Sequence, residues 1–115
     1  MQDLLYWYEA TLIRVIDGDT VKLRVDTGFG NLHTDTFRLS EINCPEINTD
    51  AGKIARDYTQ AWFTRRGYAC LLKSVKEDKY GRYLASIHDA KNIDDCLNDE
   101  LVSQQLAVPY MVAGK

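Results

Sequence analysis

The feature that most constrains the fold is a strict alternation of apolar and charged residues that follows a short acidic turn. The alternation covers residues 20–26 and places its apolar members on one face of a strand. These members are Val21, Leu23 and Val25. Residues 6–16 before it are rich in aromatic and β-branched side chains, which favour strands. The intervening Asp17-Gly18-Asp19 is typical of a hairpin turn, so the sequence predicts that the chain begins with a β-hairpin.

More strands and a helix are predicted after the hairpin. Residues 27–31 form the next turn, and residues 32–42 read as a third strand with Phe37 and Leu39 in the core. A helix then begins at Thr49 or Asp50, either of which can cap its N-terminus, and Gly67 suits its C-terminus. The predicted buried stripe of this helix consists of Ile54, Tyr58, Ala61, Trp62 and the stem of Arg65.

The C-terminal part predicts two more strands and a second helix. Residues 68–76 and the run Tyr83, Ala85, Ile87 read as strands that are joined by a turn at residues 78–81. The second helix covers about residues 97–105, and its predicted buried face is Leu97, Leu101 and Val102. Asn98 lies beside that face, where we expect its side chain to bond to the backbone near the barrel.

This order of elements predicts a mainly β protein, namely a five-stranded Greek-key barrel with two flanking helices. The alternation alone does not separate an OB barrel from other small β-barrels. With 115 residues, 45% of them hydrophobic, the chain fits one domain over residues 1–115 and contains no apolar run of membrane-spanning length. We expect a monomer that does not enter membranes.

The cysteines and the termini indicate a compartment. The three cysteines are widely spaced and form no CxxC pair, and the first residues lack a secretory signal, so we expect reduced thiols and a cytoplasmic location. A secreted protein remains the alternative if the chain is a trimmed mature form. The net charge of −3 argues against coating nucleic acid by bulk charge, but it allows a few arginines to hold one phosphate.

Three short segments carry candidate chemistry, and each has a plain structural alternative. Asp17 and Asp19 can converge on a hard cation, or they can simply form the hairpin turn. Arg38 can bind a phosphate while Glu46, stiffened by the preceding Pro45, orients a water, or the two can form an ordinary salt bridge. Arg82 can complete a phosphate clamp.

The alternative for Arg82 is a solvated turn in which its guanidinium lies on the ring of Tyr80 or Tyr83.

Taken together in their order and spacing, these segments resemble the staphylococcal nuclease (thermonuclease-like) family over nearly the whole chain. The matching stretches are residues 10–23 (ATLIRVIDGDTVKL), 37–39 (FRL), 45–46 (PE), 78–85 (DKYGRYLA) and 97–107 (LNDELVSQQLA). The resemblance implies an OB-fold barrel with helices. It also implies a Ca²⁺-dependent phosphodiesterase that acts on DNA and RNA and leaves 3′-phosphate ends.

The resemblance also assigns roles to individual residues. Asp19 resembles the aspartate that binds Ca²⁺ directly, and Asp17 resembles one that contacts the ion through water. Thr20 belongs to the same site. Arg38 and Arg82 resemble the two arginines that hold the phosphate, and Glu46 resembles the carboxylate that orients or deprotonates the attacking water.

The resemblance also indicates a metal-binding role for Cys44 and base-stacking roles for two tyrosines. Cys44 falls where the family offers a backbone carbonyl to the metal. Tyr80 and Tyr110 are candidates for stacking on substrate bases, which leads us to expect single-stranded DNA or RNA as the partner.

Four departures from the family pattern affect these expectations. Asn43 stands where the family usually has a calcium-ligating aspartate, so we expect weaker metal affinity. Gln105 replaces a common glycine, and the loop after Glu46 lacks a lysine-rich insertion. The chain also stops at Lys115, so we expect a third C-terminal helix to be missing. Two other functions stay open: a catalytically weakened or inactive OB-fold module that binds nucleic acid, and a protein adaptor whose arginines face acidic partners.

Overall fold

The structure is a computed structural model that describes residues 7–74 and 83–110. Its strands are β1 (Trp7–Asp17), β2 (Thr20–Gly28), β3 (Asn31–Leu39), β4 (Ile42–Asn43), β5 (Ala69–Ser74), β6 (Tyr83–Asp89), β7 (Asn92–Cys96) and β8 (Val108–Pro109). Its helices are α1 (Asp50–Arg65) and α2 (Leu97–Ser103). Neither helix has the length and apolar character that a membrane crossing needs.

Five of the strands close into a barrel. Antiparallel pairing joins them in the order β3-β2-β1-β5-β6, and a parallel pairing between β3 and β6 closes the ring. In that closing pair Phe37 lies opposite Tyr83 and Arg38 lies opposite Leu84. The predicted fold class, a mainly β five-stranded OB-fold barrel with two helices, is therefore confirmed.

The barrel interior is filled by the alternating residues that the sequence indicates. Val21, Leu23 and Val25 on β2 and Phe37 and Leu39 on β3 are all buried. Burying an apolar side chain of this size stabilises the fold by about 1.5–3 kcal/mol relative to leaving it in water. The charged residues between them point outward, which fixes the register of the hairpin because a shift by one residue would invert both faces.

The prediction of a single third strand over residues 32–42 is wrong. β3 ends at Leu39, and the chain then turns through Glu41, whose φ of 65° lies in the left-handed region. The short β4 that follows pairs with β8 rather than with the barrel. The turn has a functional consequence, because it folds Asn43 and Cys44 back toward the β1–β2 turn.

Helix α1 begins where its capping residue predicts. The side chain of Thr49 accepts a hydrogen bond from the backbone N–H of Gly52 at 3.0 Å, which satisfies one of the free donors of the first turn. Beyond the other end, Gly67 has a φ of 66°, as expected for the residue that terminates a helix.

The predicted buried stripe of α1 is wrong except for Trp62 and, in part, Tyr58, which packs against the core. Ile54 is 57% exposed, Ala61 is exposed and Tyr58 is only half-buried. The buried residues are instead Gly52, Ala55, Thr59, Trp62 and Phe63. Small side chains at the first three positions let the helix backbone approach the barrel closely, and this gain of packing outweighs the apolar character of Ile54.

Helix α2 is attached to the barrel as predicted. The amide oxygen of buried Asn98 accepts a hydrogen bond from the N–H of Ile87 at 3.1 Å, and its nitrogen donates to the carbonyl oxygens of Ser40 and Ala85 at 3.1 and 3.2 Å. The helix is two residues shorter than predicted, because it ends at Ser103. Gln105, just beyond the capping Gln104, has a φ of 62°.

The fourth and fifth strands are confirmed within the described residues. β5 covers residues 69–74 of the predicted 68–76, and β6 contains Tyr83, Ala85 and Ile87. Residues 75 and 76 and the predicted turn at residues 78–81 lie outside the described residues.

The conformation of Gln105 predicts a stabilising substitution. We expect Gln105→Gly to raise the free energy of unfolding by about 1 kcal/mol, because a left-handed φ strains a side-chain-bearing residue but not glycine. Urea denaturation measures the change. The control is Gln104→Gly, whose φ of −85° any residue adopts, so glycine there should give no gain. Equal effects at both positions would contradict the explanation.

Candidate functional site

The site is built on the two-residue turn between β1 and β2, which is pressed against α1. A Cβ atom placed on Gly18 would lie 2.8 Å from the Cβ of Ala55 and 2.9 Å from the sulfur of Cys44. Gly18 does not have a positive φ, so it is not the left-handed turn glycine of the plain hairpin interpretation. Glycine is required here because any side chain would push the turn away from the helix.

A buried hydrogen bond holds the same turn to the helix. The hydroxyl of Thr59 donates to the carbonyl oxygen of Gly18 at 2.8 Å, and Thr59 is fully buried. Because buried polar groups must be paired, this bond also explains why a threonine occupies the inner face of α1. The turn, and with it Asp17 and Asp19, is therefore positioned by tertiary contacts as well as by the hairpin.

The carboxylate of Asp19 is the centre of a cluster of polar contacts. Asp19 is 5% exposed, and its Oδ2 accepts a hydrogen bond from the backbone N–H of Cys44 at 2.9 Å. The same oxygen lies 3.6 Å from Nη2 of Arg38, and Oδ1 lies 3.2 Å from the donating hydroxyl of Thr20. A carboxylate with these partners is held in one orientation.

Arg38 reaches this cluster from β3. Its Nη2 donates to the carbonyl oxygen of Ile42 and to the side-chain oxygen of Asn43, both at 3.0 Å. The guanidinium carbon lies 5.7 Å from the centre of the Tyr110 ring, which the β4–β8 pairing brings to the site. The alternative of an Arg38–Glu46 salt bridge is wrong, because the acidic partner of Arg38 is Asp19.

Asp17 contributes a second carboxylate, and one of its oxygens lacks a partner. Its Oδ1 is buried and forms no hydrogen bond within the described part of the chain. Burial, together with a hydrogen bond and the negative charge of Asp19, raises the pKa of Asp17 to about 6. Two carboxylates in contact repel each other unless a proton or a cation lies between them.

The residues around Asp19 therefore fit a hard divalent cation. Ca²⁺ prefers oxygen ligands, and the nearby oxygens include the unpartnered one of Asp17 and the amide oxygen of Asn43, which here accepts a hydrogen bond from Arg38. No group of three or more histidine, cysteine, aspartate or glutamate side chains able to hold a metal occurs among residues 7–74 and 83–110. Any cation here would thus rely on amide, carbonyl and water oxygens besides the two carboxylates.

The thiol of Cys44 is unreactive near neutral pH. Burial and the negative charges of Asp19 and Asp17 raise its pKa to about 12, so the thiolate that would bind metals or react is not formed near neutral pH. All three cysteines are free. Cys44 contacts the site through its backbone instead, since its N–H donates to Asp19.

Glu46 lies on the loop that leads from β4 into α1. Its backbone carbonyl accepts hydrogen bonds from the N–H and the hydroxyl of Thr49, at 3.0 and 2.6 Å. A Cβ on Gly52 would lie 1.8 Å from that carbonyl oxygen, so the loop packs directly on the helix. The side chain is exposed, and its carboxylate forms no hydrogen bond or ion pair with a described residue. The backbone of Glu46 is thus fixed while its carboxylate faces solvent.

The remaining predicted site residues, Arg82 and Tyr80, lie outside the described residues. The next residue along the chain, Tyr83, begins β6 and lies opposite Phe37, one position before Arg38. The structure thus brings Asp17, Asp19, Thr20, Arg38, Asn43, Cys44 and Tyr110 together at one end of the barrel.

Two contacts that shape the site were not predicted from the sequence. Thr59 positions Gly18, and the N–H of Cys44 holds Asp19. A usable signal for the first was the small-residue spacing of Gly52, Ala55 and Thr59, which marks a helix face in close contact. No local signal indicates the second, because it joins residues 25 positions apart.

Comparison with known proteins gives one positive finding. The family model described as "Staphylococcal nuclease homologue" matches residues 36–115, a stretch that contains Arg38, Asn43, Glu46 and Arg82. A search of curated proteins returned no match. The matched stretch leaves out β1 and most of the β2–β3 hairpin, and the structure closes these strands into the same barrel. The chain belongs to the staphylococcal nuclease homologue family.

Proposed function

We propose that the protein is a metal-dependent nuclease that hydrolyses phosphodiester bonds of DNA or RNA. The family suggests a nuclease or nucleic-acid-binding function and typically depends on Ca²⁺. The single observation that carries the proposal is the meeting of the Asp19 carboxylate and the Arg38 guanidinium, 3.6 Å apart, beside the unpartnered oxygen of Asp17. This arrangement offers anionic ligands to a cation and a planar cation to a phosphate.

Arg38 is the residue that binds the phosphate. Its guanidinium presents five N–H donors in a fixed plane. The two on Nη2 already donate to the carbonyl oxygen of Ile42 and to the side-chain oxygen of Asn43. The other donors can pair with phosphate oxygens and with the charge that builds up on them during attack. Removing such a contact typically costs several kcal/mol of activation free energy (about 3–4 for one donor of an oxyanion site).

Five residues would hold Ca²⁺. These are Asp19 directly, Asn43 through its amide oxygen, Cys44 through its carbonyl, Asp17 through water and Thr20 as a neighbouring support. When bound, the cation supplies Lewis-acid polarisation of a phosphate oxygen and offsets the repulsion between the two carboxylates.

Glu46 positions the attacking water. The loop contacts with Thr49 and Gly52 fix its backbone, while its carboxylate remains exposed and without a described partner. A carboxylate in this state can accept a proton from water as the water oxygen attacks phosphorus. The P–O5′ bond then breaks and the departing O5′ takes up a proton from water, which leaves a 3′-phosphate on one product and a 5′-hydroxyl on the other.

Arg82 completes the phosphate clamp, and the tyrosines contact the bases. Tyr110 is 48% exposed beside Arg38, so its ring is available for stacking, and we assign the same role to Tyr80. Stacking on an exposed ring requires unpaired bases, so the preferred substrate is single-stranded DNA or RNA. We also propose a monomer and, since all three thiols are free, a cytoplasmic location.

A second function is favoured by Asn43. Its side-chain oxygen accepts a hydrogen bond from Arg38, and it supplies no negative charge to the metal. A protein that keeps Arg38 but binds Ca²⁺ weakly would act as an OB-fold module that binds nucleic acid without cleaving it. The assays below separate the two functions.

Removal of metal should abolish cleavage. We expect single-stranded DNA to be hydrolysed with Ca²⁺ and to remain intact with EDTA, because the negative charges of Asp17 and Asp19 then face the phosphate with no cation between them. The measurement is product formation on a denaturing gel, with 3′-phosphate ends identified by phosphatase sensitivity. Cleavage that persists in EDTA would eliminate the metal mechanism, and binding without cleavage under both conditions would support the second function.

The Glu46→Gln variant tests the assignment of the water-positioning group. We expect kcat to fall by about 100-fold or more while nucleotide affinity is kept, since general-base catalysis contributes 10²–10⁴-fold. The control is Glu9→Gln, an exposed carboxylate on β1. Equal losses of affinity and turnover in Glu46→Gln would instead indicate a structural carboxylate.

The Asn43→Asp variant tests whether residue 43 contacts the metal. An added carboxylate should tighten Ca²⁺ binding, and a gain of about tenfold is expected for one more charged ligand. Isothermal titration with Ca²⁺ measures it. The matched control is Asn48→Asp, an exposed residue on the following loop, which should leave the affinity unchanged. An unchanged affinity in Asn43→Asp would exclude this residue from the ligands.

A further inference from the structure

The outer face of the β1–β2 hairpin carries three neighbouring cationic side chains. Arg14 on β1 lies directly opposite Lys22 on β2, and Arg24 follows two residues later on the same face of β2. Arg14 and Arg24 are exposed, and Lys22 is partly exposed. We call these three residues the outer basic face.

No acidic side chain neutralises the outer basic face within the described parts of the chain. None of the ion pairs among residues 7–74 and 83–110 includes Arg14, Lys22 or Arg24. Residues directly opposite in an antiparallel pair have Cβ atoms about 5 Å apart, and like charges at that distance destabilise a sheet. The protein as a whole has a net charge of −3, so this local excess of positive charge goes against the average.

The face is continuous with the candidate site. Thr20 lies on the same side of β2 as Lys22 and Arg24, and it pairs with Arg38 on β3. From Thr20 to Arg24 the strand advances by about 14 Å. A chain of phosphates that starts at Arg38 can therefore run along β2 without leaving the face.

Hydroxyl groups flank the cations on both sides. Arg24 lies between Thr11 on β1 and Thr34 on β3, and Lys22 lies next to Thr36. Arginine, lysine and threonine are among the side chains that contact phosphate oxygens in nucleic-acid complexes. The face ends at Asp26, whose carboxylate accepts a hydrogen bond from the N–H of Gly28, so its footprint covers only a few phosphates.

We propose that the outer basic face binds the phosphate backbone of a single-stranded nucleic acid on one side of the phosphate held by Arg38. The inference rests on the proposed function and extends it from one phosphate to a strand. Its chemistry is the phosphodiester itself, which DNA and RNA share, so the face adds length-dependent affinity without base preference.

The test compares long and minimal ligands. Fluorescence anisotropy in EDTA, where cleavage is blocked, would measure binding of dT12, rU12 and a nucleoside 3′,5′-bisphosphate across a range of salt concentrations. The variant is Arg14→Gln/Lys22→Gln/Arg24→Gln. We expect its affinity for both 12-mers to fall about tenfold or more at low salt, and the slope of log K against log salt to become shallower by about 2, three contacts at 0.7 each. Bisphosphate affinity should not change.

The matched control is Lys53→Gln/Arg65→Gln/Lys91→Gln, which removes the same charge from exposed positions on α1 and the β6–β7 turn. An equal loss in this control, or a face variant that binds dT12 like the wild type, would overturn the inference and leave the proposed function standing. A loss confined to one of the two 12-mers would also overturn it. A wild type that does not bind the 12-mers in EDTA would overturn the inference, and one that also fails to bind the bisphosphate with Ca²⁺ present would overturn the proposed function.

Discussion

The close contact between the β1–β2 turn and α1 is the constraint on which the rest of the site depends. Gly18 has no room for a side chain against Ala55 and Cys44, and its carbonyl is held by the buried hydroxyl of Thr59. Because the turn is held in place, Asp17 and Asp19, on either side of Gly18, stay close together. Their mutual repulsion is retained in the fold, and it adds to burial, the larger cause, in raising the pKa of Asp17.

The repulsion between Asp17 and Asp19 bears on what the site can bind. The described part of the site contains the carboxylates of Asp17, Asp19 and Glu46 and only one guanidinium, that of Arg38. A phosphate approaching this set meets more negative than positive charge, and a divalent cation would offset that excess. The metal dependence that we propose thus rests on the local charges of the described residues and not on the overall charge of the sequence.

The sequence predicted the barrel well and the contacts between its parts less well. Alternation in β2 identified both faces of the hairpin because burial on one face leaves a direct record in the residue pattern. The inner face of α1 was mispredicted, since close packing selected Gly52 and Ala55 over the larger Ile54. The link between Asp19 and the N–H of Cys44 was not predictable, because a backbone donor looks the same in every residue.

Residues that stabilise the site differ in their contacts from residues that are free to bind a ligand. Thr59 and Asn98 each satisfy buried partners, so their positions are explained by stability alone. Arg14 and Lys22 satisfy nothing within the described structure and repel each other, so stability alone would disfavour them. A folded chain tolerates such a pair at a small cost, and a polyanion would turn that cost into binding energy. Charged residues without a neutralising partner beside a site are therefore more informative about ligand binding than residues with satisfied contacts, because the fold itself gives no reason for their presence.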